Sequence, residues 1–356
     1  MSRPPAALEA IIEQIPAFDE SAADAARLRQ DQLTKPQGSL GELENLSIQI
    51  AGITGQTLPE VSPATIIVAA ASHGVCEEGV SAYPAEVTAQ MVLNFLHGNA
   101  AINVLARNAG AEVVVVDAGV GPGCGEHEDL HALGFGEGTA NFTREAAIER
   151  DRAQAIIERG AAFVQDLHHQ GTRMICLGDM GIGNTTAASA IAAVVTGASP
   201  EVTTGRGTMI DDDTLKRKVE VIERGIERHQ PNPTDARAIL SAFGGYETGF
   251  LCGCLLGAAT VRIPVILDGY PTTAAALLAE LLSPGVKDFM IAGHQSVEPG
   301  HRLMLEHLDK KPLINLSMRL GEGSGAALAI PMVTAATRCL NEMATFEEAA
   351  VANKNA

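Results

Sequence analysis

The sequence has no tryptophan, and aromatic residues make up only 3% of its 356 residues. The core must therefore be built from aliphatic and small side chains, and the chain accordingly carries 36 glycines. This composition favours helices packed tightly against a sheet over a sandwich of aromatic-rich strands. Apolar residues at 46% and charged residues at 19% are ordinary for a folded globular protein.

Positive charge is also scarce, with 25 Lys and Arg against 43 Asp and Glu and a formal net charge of −18. A nucleic acid or an anionic membrane would need a positive face, so neither is expected as a partner. No apolar run approaches the roughly 20 residues of a membrane span, and residues 1–5 do not resemble a cleaved secretory leader. We therefore expect a cytoplasmic protein. If it binds a phosphate, local groups such as helix N-termini or a single Lys must hold the anion, because the overall charge repels it.

The six cysteines are scattered, and none forms a CxxC pair. This spacing is typical of reduced thiols in a cytosolic protein. Cys252 and Cys254 form the closest pair, and packing within a helix explains them better than a metal or redox site.

Short apolar runs alternate with helical stretches along the chain. A run that is apolar at every position is typical of a strand buried on both faces. The alternation predicts an α/β fold with a doubly wound parallel sheet, in which ligands bind at the C-terminal ends of the strands. The predicted strands are 64–71, 112–117, 173–178, 264–268, 288–292 and 312–317.

Helical patterns fill the intervening segments and both ends of the chain. Thr143 is a plausible N-cap for a long helix, and Pro84 leads into a second helix with apolar residues at helical spacing. Residues 1–58 contain no good strand, and neither does the segment after Gly325. We therefore expect a small helical subdomain of residues 1–58 plus 326–356, beside a catalytic domain of residues 59–325.

Two glycine-rich loops precede helices. Residues 178–186 (GDMGIGNTT) follow a predicted strand, and residues 204–208 (TGRGT) precede a helix that carries Lys218. Glycines and a helix start can bind phosphate. A tight turn capped by Asn184 or Thr185 explains the first segment equally well, and a mobile surface loop with solvated charges explains the second segment better. Neither has the G-x-G-x-x-G spacing of a dinucleotide site.

Further polar loops follow other predicted strands. His294 and Ser296 follow the strand at 288–292, where a lone His is more often structural than catalytic. Glu322 stands among glycines before an apolar helix, where burial would raise its pKa toward that of a useful base; a Glu at a helix N-terminus is the structural alternative. Residues 124–128 (CGEHE) contain metal-ligand types, yet a solvated loop is the simpler explanation.

Together these segments resemble the nicotinate-nucleotide:dimethylbenzimidazole phosphoribosyltransferase family (CobT type), over about residues 30–340. The matching segments are KPQGSLG at 35–41, HGV at 73–75, EGV at 78–80, MG at 180–181, NTT at 184–186, LDG at 267–269 and RLGEGSG at 319–325. The resemblance implies a Rossmann-like large domain with a small helical domain, no cofactor, and transfer of ribose 5-phosphate from nicotinate mononucleotide to an aromatic base.

The resemblance also implies roles for particular residues. Glu322 corresponds to the family's catalytic base. The donor and its phosphate map to Asp179, Gly181, Gly183, Gly205, Gly207, Lys218 and Ser296. The acceptor pocket maps to Ser72, Tyr83, Gln90, Met91 and Met180, and no metal is implied.

Two positions depart from the family pattern. Relatives usually have Asp where this chain has Ser72, and often Glu where it has Asp179. Loss of a carboxylate near the acceptor leaves open a phenolic acceptor such as p-cresol, with the chain either a homodimer or the catalytic subunit of a heterodimer. A non-catalytic partner subunit is disfavoured because Glu322 is present. From another class, an NAD-dependent oxidoreductase lacks its dinucleotide motif.

Overall fold

The computed structural model describes residues 7–121, 123–207 and 209–352. Residues 1–5, which were compared with a secretory leader, lie outside these ranges, as do Thr208 of the 204–208 loop and residues 1–6 and 353–356 of the predicted subdomain. The described part contains six strands: β1 Ala64–Ala71, β2 Glu112–Gly119, β3 Leu130–Ala132, β4 Met174–Met180, β5 Val265–Leu267 and β6 Met290–Ala292. Its α-helices are α1 Leu8–Glu13, α2 Glu20–Gln32, α3 Glu42–Thr54, α4 Val87–Leu96, α5 Ala101–Ala109, α6 Arg150–His169, α7 Asn184–Thr196, α8 Pro200–Thr203, α9 Asp212–His229, α10 Ala236–Phe243, α11 Tyr246–Thr260, α12 Tyr270–Leu282, α13 Pro299–His307 and α14 Ser324–Glu342. Single 3-10 turns form at Gly74–Glu78 and Val286–Phe289.

All pairings in the sheet are parallel, and the strand order is β3-β2-β1-β4-β5-β6. Every residue of β1 is buried, as its continuous apolar run predicts for a strand covered on both faces. The predicted doubly wound α/β fold is confirmed. The chain reverses its direction of travel across the sheet between β1 and β4, which is where such sheets bind ligands.

Two predictions about strands are wrong. Residues 312–317 form only a single bridge, between Ile314 and His294, and the segment cannot stay extended to its end, since Ser317 has a φ of 55°. The sequence analysis also missed β3, a three-residue edge strand with partly exposed side chains and therefore no buried run.

Helices cover both faces of the sheet. One hydrophobic cluster joins one face to α6, α11 and α12, and a second joins the other face to α3, α4, α5 and α14. Helix α11 approaches α6 so closely that a methyl group at Gly257 would lie 2.5 Å from the Ala161 carbonyl oxygen. Cys252 and Cys254 are fully buried in α11, so the packing explanation of this pair is confirmed.

The two ends of the chain meet. Helices α2 and α3 pack on each other and on α14, and Leu33 pairs with Thr345 in a short antiparallel bridge. The Arg29 guanidinium also donates a 2.8 Å hydrogen bond to the Leu340 carbonyl. Helix α1 instead packs on α6 and α11. The division at residues 58/59 and 325/326 stays a proposal.

The predicted cap at Thr143 is wrong. Its N–H and hydroxyl both donate to the side chain of Asn141, in a local turn. Helix α6 begins seven residues later, at Arg150, with Glu149 as N-cap. The predicted helix after Pro84 is confirmed as α4.

Candidate active site

A cavity of about 840 Å³ opens where the C-terminal ends of β4, β5 and β6 meet the loop before α14. Ten of the thirteen predicted site residues line it: Tyr83, Met91, Asp179, Met180, Gly181, Gly183, Gly207, Lys218, Ser296 and Glu322. Gly205 lies directly behind the lining, because its carbonyl oxygen accepts a 3.3 Å hydrogen bond from Lys218 Nζ. Ser72 and Gln90 do not line the cavity.

The glycine loop after β4 forms one wall. Gly183 has a φ of 94°, in the left-handed region that glycine adopts without strain. It is also the N-cap of α7, so the predicted cap at Asn184 or Thr185 is wrong by one or two positions. A methyl group at Gly183 would lie 2.8 Å from Cys76 Sγ. The tight turn places the start of α7, with its positive dipole end, at the cavity.

Lys218 is the buried cation of this end. Only 1% of its surface is exposed, and its ammonium donates to the Thr185 hydroxyl at 2.8 Å. Burial lowers the pKa of Lys218 to about 8. The 205–207 backbone lies beside it, and Ser296 completes the same end of the cavity. This end combines a cation, a hydroxyl and a helix start, which suits a phosphate group.

Ser296 is held by a histidine that sequence reasoning missed. The Ser296 N–H donates a 2.8 Å hydrogen bond to His301 Nδ1, and His301 Nε2 lies 3.0 Å from the Thr273 hydroxyl. Burial lowers the pKa of His301 to about 3, so the ring is neutral and its Nδ1 can accept. Spacing within 293–301 gave no sign that the ring would fold back on Ser296.

Glu322 stands at the other end of the cavity, in an unusual backbone. Its φ is 63°, and its neighbours Gly321 and Gly323 have φ values of 81° and 87°. A methyl group at Gly178 would lie 2.5 Å from the Glu322 carbonyl oxygen, so the loop lies directly on β4. Only 5% of Glu322 is exposed, and burial raises its pKa. Its Oε2 accepts a long hydrogen bond, 3.4 Å, from the Ile102 N–H.

Asp268 fixes this loop. It follows β5, and its carboxylate accepts hydrogen bonds of 2.5 to 3.3 Å from the N–H groups of Gly323, Gly325 and Ala326. The carboxylate therefore caps α14 and positions Glu322. Burial raises the pKa of Asp268 to about 7, against the lowering effect of these donors. Sequence reasoning quoted Asp268 within a motif but assigned it no role.

Asp179 lies between the two ends. Asn184 Nδ2 donates to its Oδ2 at 2.7 Å, while its Oδ1 is buried and accepts no hydrogen bond within the described residues. Burial, followed by the nearby carboxylates of Asp268, Glu247 and Glu322, raises the pKa of Asp179 well above its usual range. A buried, unsatisfied oxygen is a ready acceptor for a ligand hydroxyl.

Apolar side chains also line the cavity. Among them are Tyr83, Met91, Met180 and Leu320, with Tyr83 and Leu320 about half exposed. They offer a flat ligand an apolar surface in the same cavity as the Glu322 carboxylate. Gln90 is exposed outside the lining.

Ser72 follows β1, away from the cavity lining. Its hydroxyl donates to the carbonyl of Val120, the residue next to the end of β2. The following residue, His73, pairs with the buried Glu247 at 2.9 Å and packs against Gly181 and Gly183. Ser72 is thus not part of the cavity lining, and its influence on acceptor choice stays a prediction.

A wider cleft of about 1020 Å³ lies at the opposite edge of the sheet, where β1 and β2 begin. We assign the site to the smaller cavity because ligands of such sheets bind at the C-terminal ends of strands. Among the described residues, no group of three or more His, Cys, Asp or Glu is placed to hold a metal ion.

The search for membrane spans gave a negative result over the residues that the structure describes. None of their helices has both the length and the hydropathy needed to cross a bilayer.

Comparison with known proteins gives extensive matches. A phosphoribosyltransferase family model matches residues 15–351. The nicotinate-nucleotide–dimethylbenzimidazole phosphoribosyltransferase of Chloroflexus aggregans is 53% identical over 343 residues, which cover 96% of this chain and 97% of that protein. The enzyme of the same name from Desulforudis audaxviator is 48% identical, with 97% and 98% covered. The crystal structure of CobT from Thermus thermophilus is similar with a TM-score of 0.90 at 43% identity, covering 94% of this chain and 99% of that one. These matches favour neither the oxidoreductase nor the phenol-restricted alternative.

Proposed function

Because the chain belongs to the nicotinate-nucleotide–dimethylbenzimidazole phosphoribosyltransferase family, as its motifs predicted, we propose that it transfers ribose 5-phosphate from nicotinate mononucleotide to dimethylbenzimidazole. The products are nicotinate and an α-riboside 5′-phosphate, the lower-ligand nucleotide of a cobamide. One observation carries the proposal: a single cavity has a cationic phosphate-binding end at Lys218 and a buried carboxylate at Glu322.

The donor end holds the nucleotide by its phosphate. Lys218, Ser296 and the loops at 181–183 and 205–207 supply the charge and polar groups. Asp179 supports this arrangement, because its buried Oδ1, which has no hydrogen-bond partner among the described residues, can accept a hydrogen bond from a ribose hydroxyl. These contacts are remote from the bond that breaks, so their binding energy aligns C1′ for attack.

The chemistry at C1′ needs one proton acceptor. The pyridinium nitrogen of nicotinate takes the electron pair of the C1′–N bond as that bond breaks, and the ring leaves without a proton from the protein. The pyridine-type nitrogen of the benzimidazole attacks C1′ from the opposite face, which converts the β-riboside into an α-riboside. The N–H proton of the benzimidazole passes to the Glu322 carboxylate, and such base catalysis contributes about 10²–10⁴-fold.

We also propose that the enzyme acts in the cytoplasm, without metal or cofactor, as a homodimer or with a related subunit. The six cysteines are unpaired, as in a reducing compartment. Exposed apolar side chains line the cavity, as an interface there would require: Tyr83, Met209 and Leu320. Sedimentation velocity tests the assembly.

Activity should survive EDTA, and a loss restored by added metal would refute the metal-free mechanism.

The test of the reaction is incubation with nicotinate mononucleotide and, separately, dimethylbenzimidazole, phenol and p-cresol, followed by mass spectrometry. We expect an α-riboside phosphate of dimethylbenzimidazole in amounts equal to the nicotinate released. Reactions without an acceptor control for hydrolysis. Absence of transfer to any acceptor would refute the proposal, and transfer to the phenols alone would reassign the acceptor.

A further inference from the structure

A carboxylate lies inside the phosphate-binding end of the cavity. Glu298 lines the cavity together with Lys218, and only 6% of it is exposed. Its Oε1 accepts a 2.9 Å hydrogen bond from the Gly207 N–H. Its Oε2 is buried and accepts no hydrogen bond within the described residues. A negative charge here repels a phosphate, so its presence requires a compensating benefit.

Packing shows the first benefit. A methyl group at Gly205 would overlap the Glu298 carboxylate and would lie 2.8 Å from the Pro299 ring. Glu298 therefore supports the 205–207 loop from behind and, through Gly207, fixes its position. The Gly205 carbonyl in turn accepts a hydrogen bond from Lys218 Nζ. The position of the Lys218 ammonium therefore also depends on Glu298.

Charge shows the second benefit. The hydrogen-bond partners of Lys218 are neutral, a hydroxyl of Thr185 and a carbonyl of Gly205. Burial lowers the pKa of Lys218 to about 8, and the negative charge of Glu298 acts against that lowering. The carboxylate thus favours the cationic form of a lysine that has lost most of its hydration.

The charged groups on α8 and α10, two helices that pack on α9, have other partners. Helix α7, which packs on α9, has no titratable side chain. The exposed Glu201 of α8 hydrogen-bonds with Ser199, and Arg237 of α10 pairs with Glu9. On the cavity wall, Arg206 pairs with Asp212. Asp179 is bonded to Asn184.

We propose that Glu298 is a positioning residue for the donor phosphate: it holds the 205–207 loop in place and keeps Lys218 in its ammonium form before the donor binds. The inference rests on the proposed function, because it takes nicotinate mononucleotide as the donor. The benefit of its charge should appear only at a pH where Lys218 would otherwise lose its proton. Below that pH the charge only repels the phosphate, and the support of the 205–207 loop remains.

The test is the Kd of nicotinate mononucleotide without acceptor, measured by calorimetry from pH 6 to pH 9 for the wild type and Glu298→Gln. Glutamine keeps an acceptor for the Gly207 N–H and removes the charge. At pH 6, where Lys218 is protonated in both proteins, we expect Glu298→Gln to bind as tightly as the wild type or more tightly. Above pH 8 we expect it to bind about fivefold to tenfold more weakly. Titration of the donor phosphate is common to both proteins and cancels in the ratio.

Glu280→Gln is the matched control. The Glu280 carboxylate also accepts from backbone N–H groups, at Gly285 and Lys287, but it lies outside the cavity lining. The ratio of its Kd for nicotinate mononucleotide to that of the wild type should not change with pH. In a Lys218→Met background, the pH dependence of the Glu298→Gln effect should disappear, because the group that titrates is gone.

The outcomes separate the two proposals. A wild type that does not bind nicotinate mononucleotide refutes the proposed function. A wild type that binds, with a Glu298→Gln ratio that is flat over pH, refutes the role of the charge and leaves Glu298 a packing residue. If Glu298→Gln does not fold, Glu298→Asp decides instead. Because Asp keeps the charge, the ratio of its Kd to the wild-type Kd should not vary with pH. A ratio that rises with pH contradicts the proposal.

Discussion

Replacing Glu322 by Gln removes a proton acceptor and preserves the other contacts that the structure shows there. The amide oxygen can still accept from the Ile102 N–H. Gln and Glu have the same cost in the left-handed backbone conformation of position 322. We expect kcat for transfer to dimethylbenzimidazole to fall about 10²–10⁴-fold, which corresponds to about 3–5 kcal/mol of transition-state stabilisation. The Kd of nicotinate mononucleotide should change little, because the phosphate end is untouched.

The same substitution should stabilise the fold. Burial raises the pKa of Glu322 in the folded protein, so the folded state binds the proton more tightly than the unfolded state does. Wild-type stability therefore falls as pH rises from the ordinary Glu pKa through the raised one. Glutamine carries no such cost. The advantage in free energy of unfolding for Glu322→Gln should be small at pH 4 and larger at pH 8.

Two assays check these expectations. Nicotinate release under saturating substrates gives kcat, and denaturant unfolding at pH 4 and pH 8 gives the free energies. Glu280→Gln controls for loss of a carboxylate elsewhere. A variant that keeps more than a small fraction of wild-type kcat shows that Glu322 is not the base. A variant less stable than the wild type at pH 8 shows that the charged carboxylate stabilises the loop, contrary to the burial argument.

Three further substitutions test the cavity. Lys218→Ala should raise the donor KM about tenfold or more and lower kcat less, since a remote contact gives uniform binding; a change confined to kcat would place Lys218 elsewhere in the mechanism. Gly178→Ala should lower kcat about 10²-fold with little change in donor Kd, because its methyl group would displace the backbone at Glu322; unchanged kcat would contradict this. Ser72→Asp should destabilise the fold by about 1–3 kcal/mol, since a carboxylate cannot donate to the Val120 carbonyl. Its kcat/KM ratio for phenol against dimethylbenzimidazole shows whether position 72 affects the acceptor: a shift toward dimethylbenzimidazole supports the influence, and an unchanged ratio refutes it.

The parts of the fold that follow from local pattern were predictable. The run at 64–71 forms a strand with those bounds, because a stretch that is apolar on both sides can only be buried on both faces. The edge strand at Leu130–Ala132 has no such run, and it exists only because β2 offers it a partner. The run at 312–317 resembles a strand in composition, yet only Ile314 pairs.

The site divides in the same way. Glu322 and the glycine loops were found because glycines cluster around them before helices and because these segments resemble a known family. The supporting contacts were not, because they join distant segments: Asp268 binds N–H groups 55 to 58 residues along the chain, and Glu298 accepts from Gly207, 91 residues away. Sequence spacing does not reveal which distant donor a carboxylate will reach.

The backbone of Glu322 has an evolutionary consequence. A residue with a side chain costs about 1–2 kcal/mol in the left-handed region, and glycine costs almost nothing there. A single base change converts a Glu codon into a Gly codon, and that change would also remove the buried carboxylate. Selection for folding alone would therefore erode the base. A duplicated copy released from selection for its product would drift toward a well-folded protein that still binds the nucleotide but no longer turns it over.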